Sequence, residues 1–202
     1  MTYRSVNPGT LLCPVPAVLV SCADRAGRAN ALAVAWTGVL CSDPPVCSVS
    51  IRKERFAHGR ILDTGEFVIN LCSREMLRAL DYCGVRSGRD EDKLAACGLK
   101  PLDVTGGLNY APPLDRAPLQ LCCRVEKTLP LGSHDLFIAR IVSVQVRQDL
   151  MDENGKIDLE KARLIAYSHG VYHALGEALG FFGFSVASPE ALRRRMAALK
   201  KQ

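Results

Sequence analysis

The residues with the most chemical content fall between 30 and 55. Asn30 opens an apolar run that ends at Trp36, the sole tryptophan, and Thr37-Gly38 follow it. Asp43-Pro44-Pro45 forms a corner, and Ser50-Ile51-Arg52-Lys53-Glu54-Arg55 then supplies a hydroxyl and three cations. An aromatic ring at a strand end can flank a planar group, while backbone N–H groups beside a glycine can face it. Where a strand gives way to a helix, guanidinium forks, a hydroxyl and free helix N–H groups can together hold a phosphate. The stretch therefore suits a ligand that carries a planar ring and a phosphate. Composition alone leaves two plainer readings open, a core tryptophan and a solvated, charged strand end.

Other reactive side chains are dispersed. There is no G-x-G-x-x-G opening a helix and no G-x-x-x-x-G-K-[ST], so a Rossmann or P-loop phosphate site is unsupported. His169 and His173 are spaced i, i+4 but fall where a strand turns, with no third ligand, and no metal site is expected. His134, in Leu131-Gly132-Ser133-His134-Asp135, stands at the start of a strong strand, which suits either a functional side chain on a rigid support or a surface turn. No G-x-S-x-G occurs, and neither Cys72 nor Cys83 has a histidine near it in sequence, so nucleophilic catalysis is unmotivated. The nine cysteines are odd in number and lack C-x-x-C spacing, which reads as reduced thiols rather than a disulfide or metal framework. Cys122 and Cys123, adjacent in a strand, should face opposite ways.

Seven segments must carry these residues as half-buried strands: 15–22, 30–36, 46–51, 66–71, 119–126, 136–146 and 163–168. In the fifth, Leu119, Leu121, Cys123 and Val125 share a face; in the sixth, Leu136, Ile138, Val142, Val144 and Val146 do, interrupted by Arg140. Helices are expected at 56–63, at 74–83 ending at Gly84, and at 189–201, where Ser188 is a plausible cap and Pro189 the first helical residue. No repeat or low-complexity linker divides the 202 residues, of which 48% are hydrophobic. A single domain over 1–202 follows, mainly β with a few short helices, and a barrel is favoured over a doubly wound sheet.

Charge and hydropathy narrow the partners. The net charge is +5, but residues 189–202 hold five cations against Glu190, which leaves +1 for the other 188 residues. Nucleic-acid binding is therefore disfavoured, and the basic terminal helix reads as a solvated face or a subunit contact. No apolar run approaches the ~20 residues of a membrane span, and the first residues have no signal-peptide pattern. A cytoplasmic protein is expected.

In order along the chain, the segments Asn30…Ala35-Trp36-Thr37, Asp43-Pro44-Pro45, Ser48-Val49-Ser50-Ile51-Arg52…Arg55, Thr64 to Leu71, Asp92-Lys93-Leu94, Gly132-Ser133-His134-Asp135 and Leu179 to Ser185 resemble the flavin reductase-like family with an FMN-binding split barrel, most closely its flavoredoxin branch. The resemblance spans residues 10–186 or so. It implies a homodimer with FMN held non-covalently near the subunit interface. By position, Asn30, Trp36 and Thr37 would line the flavin ring, Ser50, Arg52 and Arg55 would face the ribityl chain and phosphate, and Lys93 and His134 would add polar contacts. It further implies electrons taken from NADH or NADPH and passed to free flavin or a protein acceptor, with no catalytic side chain because the flavin carries the chemistry. A carrier between protein partners that never binds nicotinamide, and a flavin-binding module without turnover, remain alternatives. One departure stands out: Ala57 replaces the family's usual Thr or Ser, a lost hydroxyl worth ~1 kcal/mol, or about fivefold in affinity. His58 next to it is a candidate substitute. The Phe181-Phe182-Gly183-Phe184 segment is expected to be buried, as core or as dimer contact.

Overall fold

The computed structural model describes residues 1–199. Its strands are β1 (Val15–Pro16), β2 (Val18–Ala23), β3 (Ala29–Val34), β4 (Thr37–Ser42), β5 (Pro45–Arg52), β6 (Glu66–Leu71), β7 (Leu119–Pro130), β8 (His134–Val146), β9 (Ile165–Ser168) and β10 (Val171–Ala174). Seven of them form one antiparallel sheet in the order β3-β2-β6-β7-β8-β5-β4, and β1, β9 and β10 form a second, small sheet. β3 and β4 occupy opposite edges of the large sheet, yet only Ala35 and Trp36 separate them in sequence. The sheet must therefore curl until its edges meet, and the Ser50 N–H donates to the Trp36 carbonyl at 2.9 Å. Register shifts between Cys122 and Cys123 and between Val125 and Lys127 supply local bending in the long β7–β8 pair. The result is the expected mainly β split barrel.

Val20, Cys22, Val49, Ile51, Phe67 and Phe137 fill the barrel, and Ile61 of helix α1 (Phe56–Thr64) closes one end. Gly65 ends α1 in the left-handed region at φ 69°, its N–H bonded to the Ile61 carbonyl at 2.8 Å. Every residue of β2 is buried because its outward side, Leu19 above all, is covered by helix α2 (Leu77–Val85). A 3₁₀ turn at Arg74–Met76 leads into α2, which continues through Gly84 rather than stopping there. Gly84 permits close packing: a Cβ would come within 3.1 Å of the Ala33 Cβ. A four-residue helix, α3 (Lys93–Ala96), is started by Asp92, whose carboxylate accepts from the Leu94 and Ala95 N–H groups.

Two strands were not foreseen, β4 and β10. In β8 the apolar face formed by Leu136, Ile138, Val142 and Val144 is the outer one, and Val142 and Val144 are exposed; Phe137 and Ala139 on the other face fill the barrel. Cys122 and Cys123 do face opposite ways, and both are buried, Cys123 in the barrel and Cys122 beneath Leu108 and Ala111. The terminal helix α4 (Pro189–Leu199) starts where expected, with the Ala191 N–H donating to Ser188 Oγ. Residues 200 and 201 of the expected helix lie outside the described residues. Burial of Phe181–Phe184 is not found within one chain: Phe182 is fully exposed and Phe184 half so. Beyond β10 the described residues add no strand to either sheet, and Phe181 is covered instead by the Arg195 guanidinium at 3.9 Å.

Glu66 is the buried polar fastener of this architecture. Its carboxylate accepts from the Asn109 and Tyr110 N–H groups at 2.8–3.1 Å and holds the 105–113 loop over Cys122. Glu66→Ala strands those donors, and a loss of about 3 kcal/mol is expected in urea unfolding. A loss under about 0.5 kcal/mol would contradict the role.

Candidate functional site

Barrel closure assembles the site. In the β5–β8 pairing Arg52 lies opposite His134 and Ser50 opposite Leu136, so Ser50, Arg52 and His134 share one end of the barrel. The Trp36 carbonyl fixes that end to Ser50, and the Trp36 ring stacks at a tilt on His134, with centroids 4.6 Å apart and planes at 37°. Trp36 is nevertheless 44% exposed, far more than a core tryptophan. It borders a cleft of about 670 Å³ whose floor is Leu32, Ala33, Val34 and Ala35 of the barrel edge. Tyr167 and Tyr172 of the small sheet form the facing wall, and Tyr172 donates its hydroxyl proton to Asp81 at 3.1 Å. Burial, aided by Asp81, pushes the Tyr172 phenol up to about 12. Burial and the Arg52 charge both hold the His134 imidazolium below the usual histidine range.

A second pocket of about 400 Å³ adjoins the cleft through the shared residues Leu32, Arg52 and Arg55. Asn30, Ala57 and Lys93 line it, with Arg86, Ser87, Gly88 and Arg89. The N-terminus of α1 belongs to the same wall, and its cap residue, Arg55, makes no side-chain cap bond. The macrodipole and free N–H groups of that first turn favour an anion. Lys93 is buried and donates to the Cys83 carbonyl at 3.0 Å, near the negative end of α2; burial lowers its pKa. Asn30 is 95% buried, its exposure being 5%, and its Nδ2 has no hydrogen-bond partner beyond a position beside the Cys22 thiol, a weak acceptor. Arg52 pairs with Glu54 at 3.5 Å, and Arg86 with Glu91 at 3.7 Å. Among the described residues Arg55 and Arg89 form no ion pair.

Seven of the eight candidate residues thus line the two spaces: Trp36, Ser50, Arg52, Arg55 and His134 the cleft, and Asn30, Arg52, Arg55 and Lys93 the second pocket. Thr37 does not; its hydroxyl donates to the Ser48 carbonyl at 2.7 Å inside the β4–β5 pair. His58 does not replace the hydroxyl absent at Ala57, because its Nε2 is bonded to Asp135 at 2.8 Å and its ring packs edge-on to Phe137. That bond, helped by Lys53, holds Asp135 below the usual carboxylate range. Ala57 itself turns its methyl into the barrel core. Sequence reasoning missed Tyr167, Tyr172, Arg86 and Arg89. Tyr167 belonged to an expected strand, and two arginines flanking Ser87-Gly88 were a visible cation cluster.

Trp36, the sole tryptophan, reports on His134. Its fluorescence should fall as His134 becomes protonated, with a midpoint below that of an ordinary histidine, and Arg52→Ala should raise the midpoint by removing a repelling charge. A midpoint unaffected by that substitution would contradict the geometry.

The model of the flavin reductase like domain matches residues 10–176. The flavoredoxin of Desulfovibrio vulgaris (Miyazaki F) superposes with a TM-score of 0.85 at 31% identity, covering 92% of this chain and 100% of that one. A protein of Pyrococcus abyssi is 30% identical over 150 residues, 74% of this chain and 84% of its own. The FMN reductase (NADH) of Pseudomonas syringae pv. syringae is 27% identical over 127 residues, 63% of this chain and 67% of its own. With the family model matched across the whole barrel and both walls of the cleft, the chain belongs to the flavin reductase-like family.

Proposed function

We propose that the protein binds FMN non-covalently and is an oxidoreductase, taking reducing equivalents from NADH or NADPH and passing them to a free flavin or a protein acceptor. The observation that carries this reading is the junction of two spaces: an aromatic-walled cleft that suits a planar ring, and a cationic pocket at a helix N-terminus that suits its phosphate. Asn30, buried and with its Nδ2 unpartnered, also lines the second pocket. The similarity to the FMN reductase (NADH) of Pseudomonas syringae supports the same reading. When bound, FMN supplies the redox chemistry through its ring.

The chain's residues bind and orient. Trp36 and Asn30 are assigned to the ring, and Ser50, Arg52 and Arg55 to the ribityl chain and phosphate; Thr37, bonded to the Ser48 carbonyl, holds the strand behind Trp36 rather than the ligand. Lys93 and His134 add polar contacts, a cation being favourable wherever reduction brings negative charge. Burial, with the neighbouring Arg52 charge, disfavours the His134 imidazolium; the neutral ring offers one N–H and one acceptor, with Nδ1 bonded to Ser133 Oγ at 2.9 Å. We also propose a cytoplasmic homodimer. Val39, Leu40, Val142, Val144 and Phe182 are exposed apolar side chains that a second subunit would cover. Among the described residues no helix is long and apolar enough to cross a membrane.

A second reading, an electron carrier between proteins without nicotinamide binding, is favoured by α4, where Arg193, Arg194 and Arg195 are exposed and could steer an acidic partner. Reduction by such a partner should then slow as salt rises.

Two measurements check the leading reading. Anaerobic mixing of the FMN-loaded protein with NADH or NADPH should bleach the visible flavin absorbance, and failure with both would leave the carrier or a flavin-binding module without turnover. Lys93→Ala and His134→Ala should each weaken FMN binding about tenfold with the fold retained; unchanged affinity in both would refute the assigned contacts.

A further inference from the structure

The 86–89 loop contributes two arginines to the second pocket, and its position there is built rather than incidental. Gly88 presses its backbone against the pocket floor: a Cβ would overlap Asn30 Oδ1 and lie 2.8 Å from the Phe56 ring. From there Arg89 crosses to the other side of the pocket, where its Nη1 donates to the Glu54 carbonyl at 2.9 Å. Its guanidinium also lies 5.6 Å from the centroid of Phe56, the first residue of α1, whose ring carries Arg60 at 3.8 Å. The side chain is thereby held across the mouth of a pocket that contains a helix N-terminus and the unpartnered Asn30 amide. Only one of its five N–H donors is occupied by Glu54, and among the described residues no carboxylate neutralises it.

We infer that Arg89 is a clasp on the phosphate of the bound flavin and, alongside Arg52 and Arg55, a residue through which this site prefers a 5′-phosphorylated flavin to riboflavin. The inference rests on the FMN reading and deepens it. A guanidinium opposite the α1 N-terminus supplies paired, charge-assisted donors to a phosphate.

The test titrates the flavin-free, full-length protein with FMN and with riboflavin, following flavin fluorescence, for the parent and for Arg89→Ala, Arg89→Lys and Gly88→Ala. Arg89→Ala should weaken FMN on the order of ten- to a hundredfold while riboflavin changes less than about twofold. Arg89→Lys should recover part of the loss, and Gly88→Ala should reproduce it by displacing the loop. FMN affinity unchanged in Arg89→Ala, or both flavins weakened equally, overturns the clasp while leaving FMN binding intact. A parent protein that binds neither flavin overturns the FMN reading and the clasp with it. Arg89 is exposed, so loss of fold is not expected, and an unaltered thermal midpoint verifies that.

Discussion

The two-residue link between β3 and β4 is the constraint on which the rest depends. It ties the opposite edges of a seven-stranded sheet, so the sheet cannot remain open. The hydrogen bond from Ser50 to the Trp36 carbonyl fixes where the edges meet. Because Trp36 lies on the link itself, its ring stays at the barrel rim instead of entering the core. Antiparallel register then places Arg52 against His134, and His134 against Trp36. A site assembled from residues a hundred apart in sequence thus follows from one short connection and one strand pairing.

Electrostatics divides the assembled space into two halves. Around the cleft the polar groups are satisfied within the protein, Tyr172 by Asp81 and His134 by Ser133. In the second pocket they are not. Lys93 is buried with a backbone carbonyl for its partner, Asn30 lacks a good acceptor, and α1 begins without a side-chain cap. The buried Lys93 charge and the uncapped first turn of α1 both favour an anion there. Glu54 and Glu91 partly neutralise Arg52 and Arg86, which limits the repulsion among clustered cations before a ligand arrives.

Much of this was legible in the sequence, for identifiable reasons. Short apolar or alternating runs bounded by turn residues mark strands whatever they pair with, which locates β6 to the residue and β5 and β8 nearly so. β4 escaped because Thr37–Ser42 begins with a glycine-containing turn signal and lies on an exposed edge, where no burial pattern is imprinted. β8 carries apolar residues on both faces, which conceals which one fills the barrel. Gly84 resembled a helix stop, and only packing against Ala33 distinguishes a close contact from a cap. Residues 30–55 revealed a ring-and-phosphate site because one strand, one turn and one helix start bring its parts together locally. Tyr167, Tyr172 and Arg89 come from elements distant in sequence, and no local pattern could reveal that they face the same space.

The central claim is that a flavin ring lies against Trp36 while its phosphate enters the pocket at the α1 N-terminus. The most direct measurement is a titration of the flavin-free protein with FMN that follows the emission of the sole tryptophan. The account expects strong quenching that saturates at one FMN per chain. Saturable FMN binding that leaves Trp36 emission unchanged, or no saturable binding at all, would contradict it.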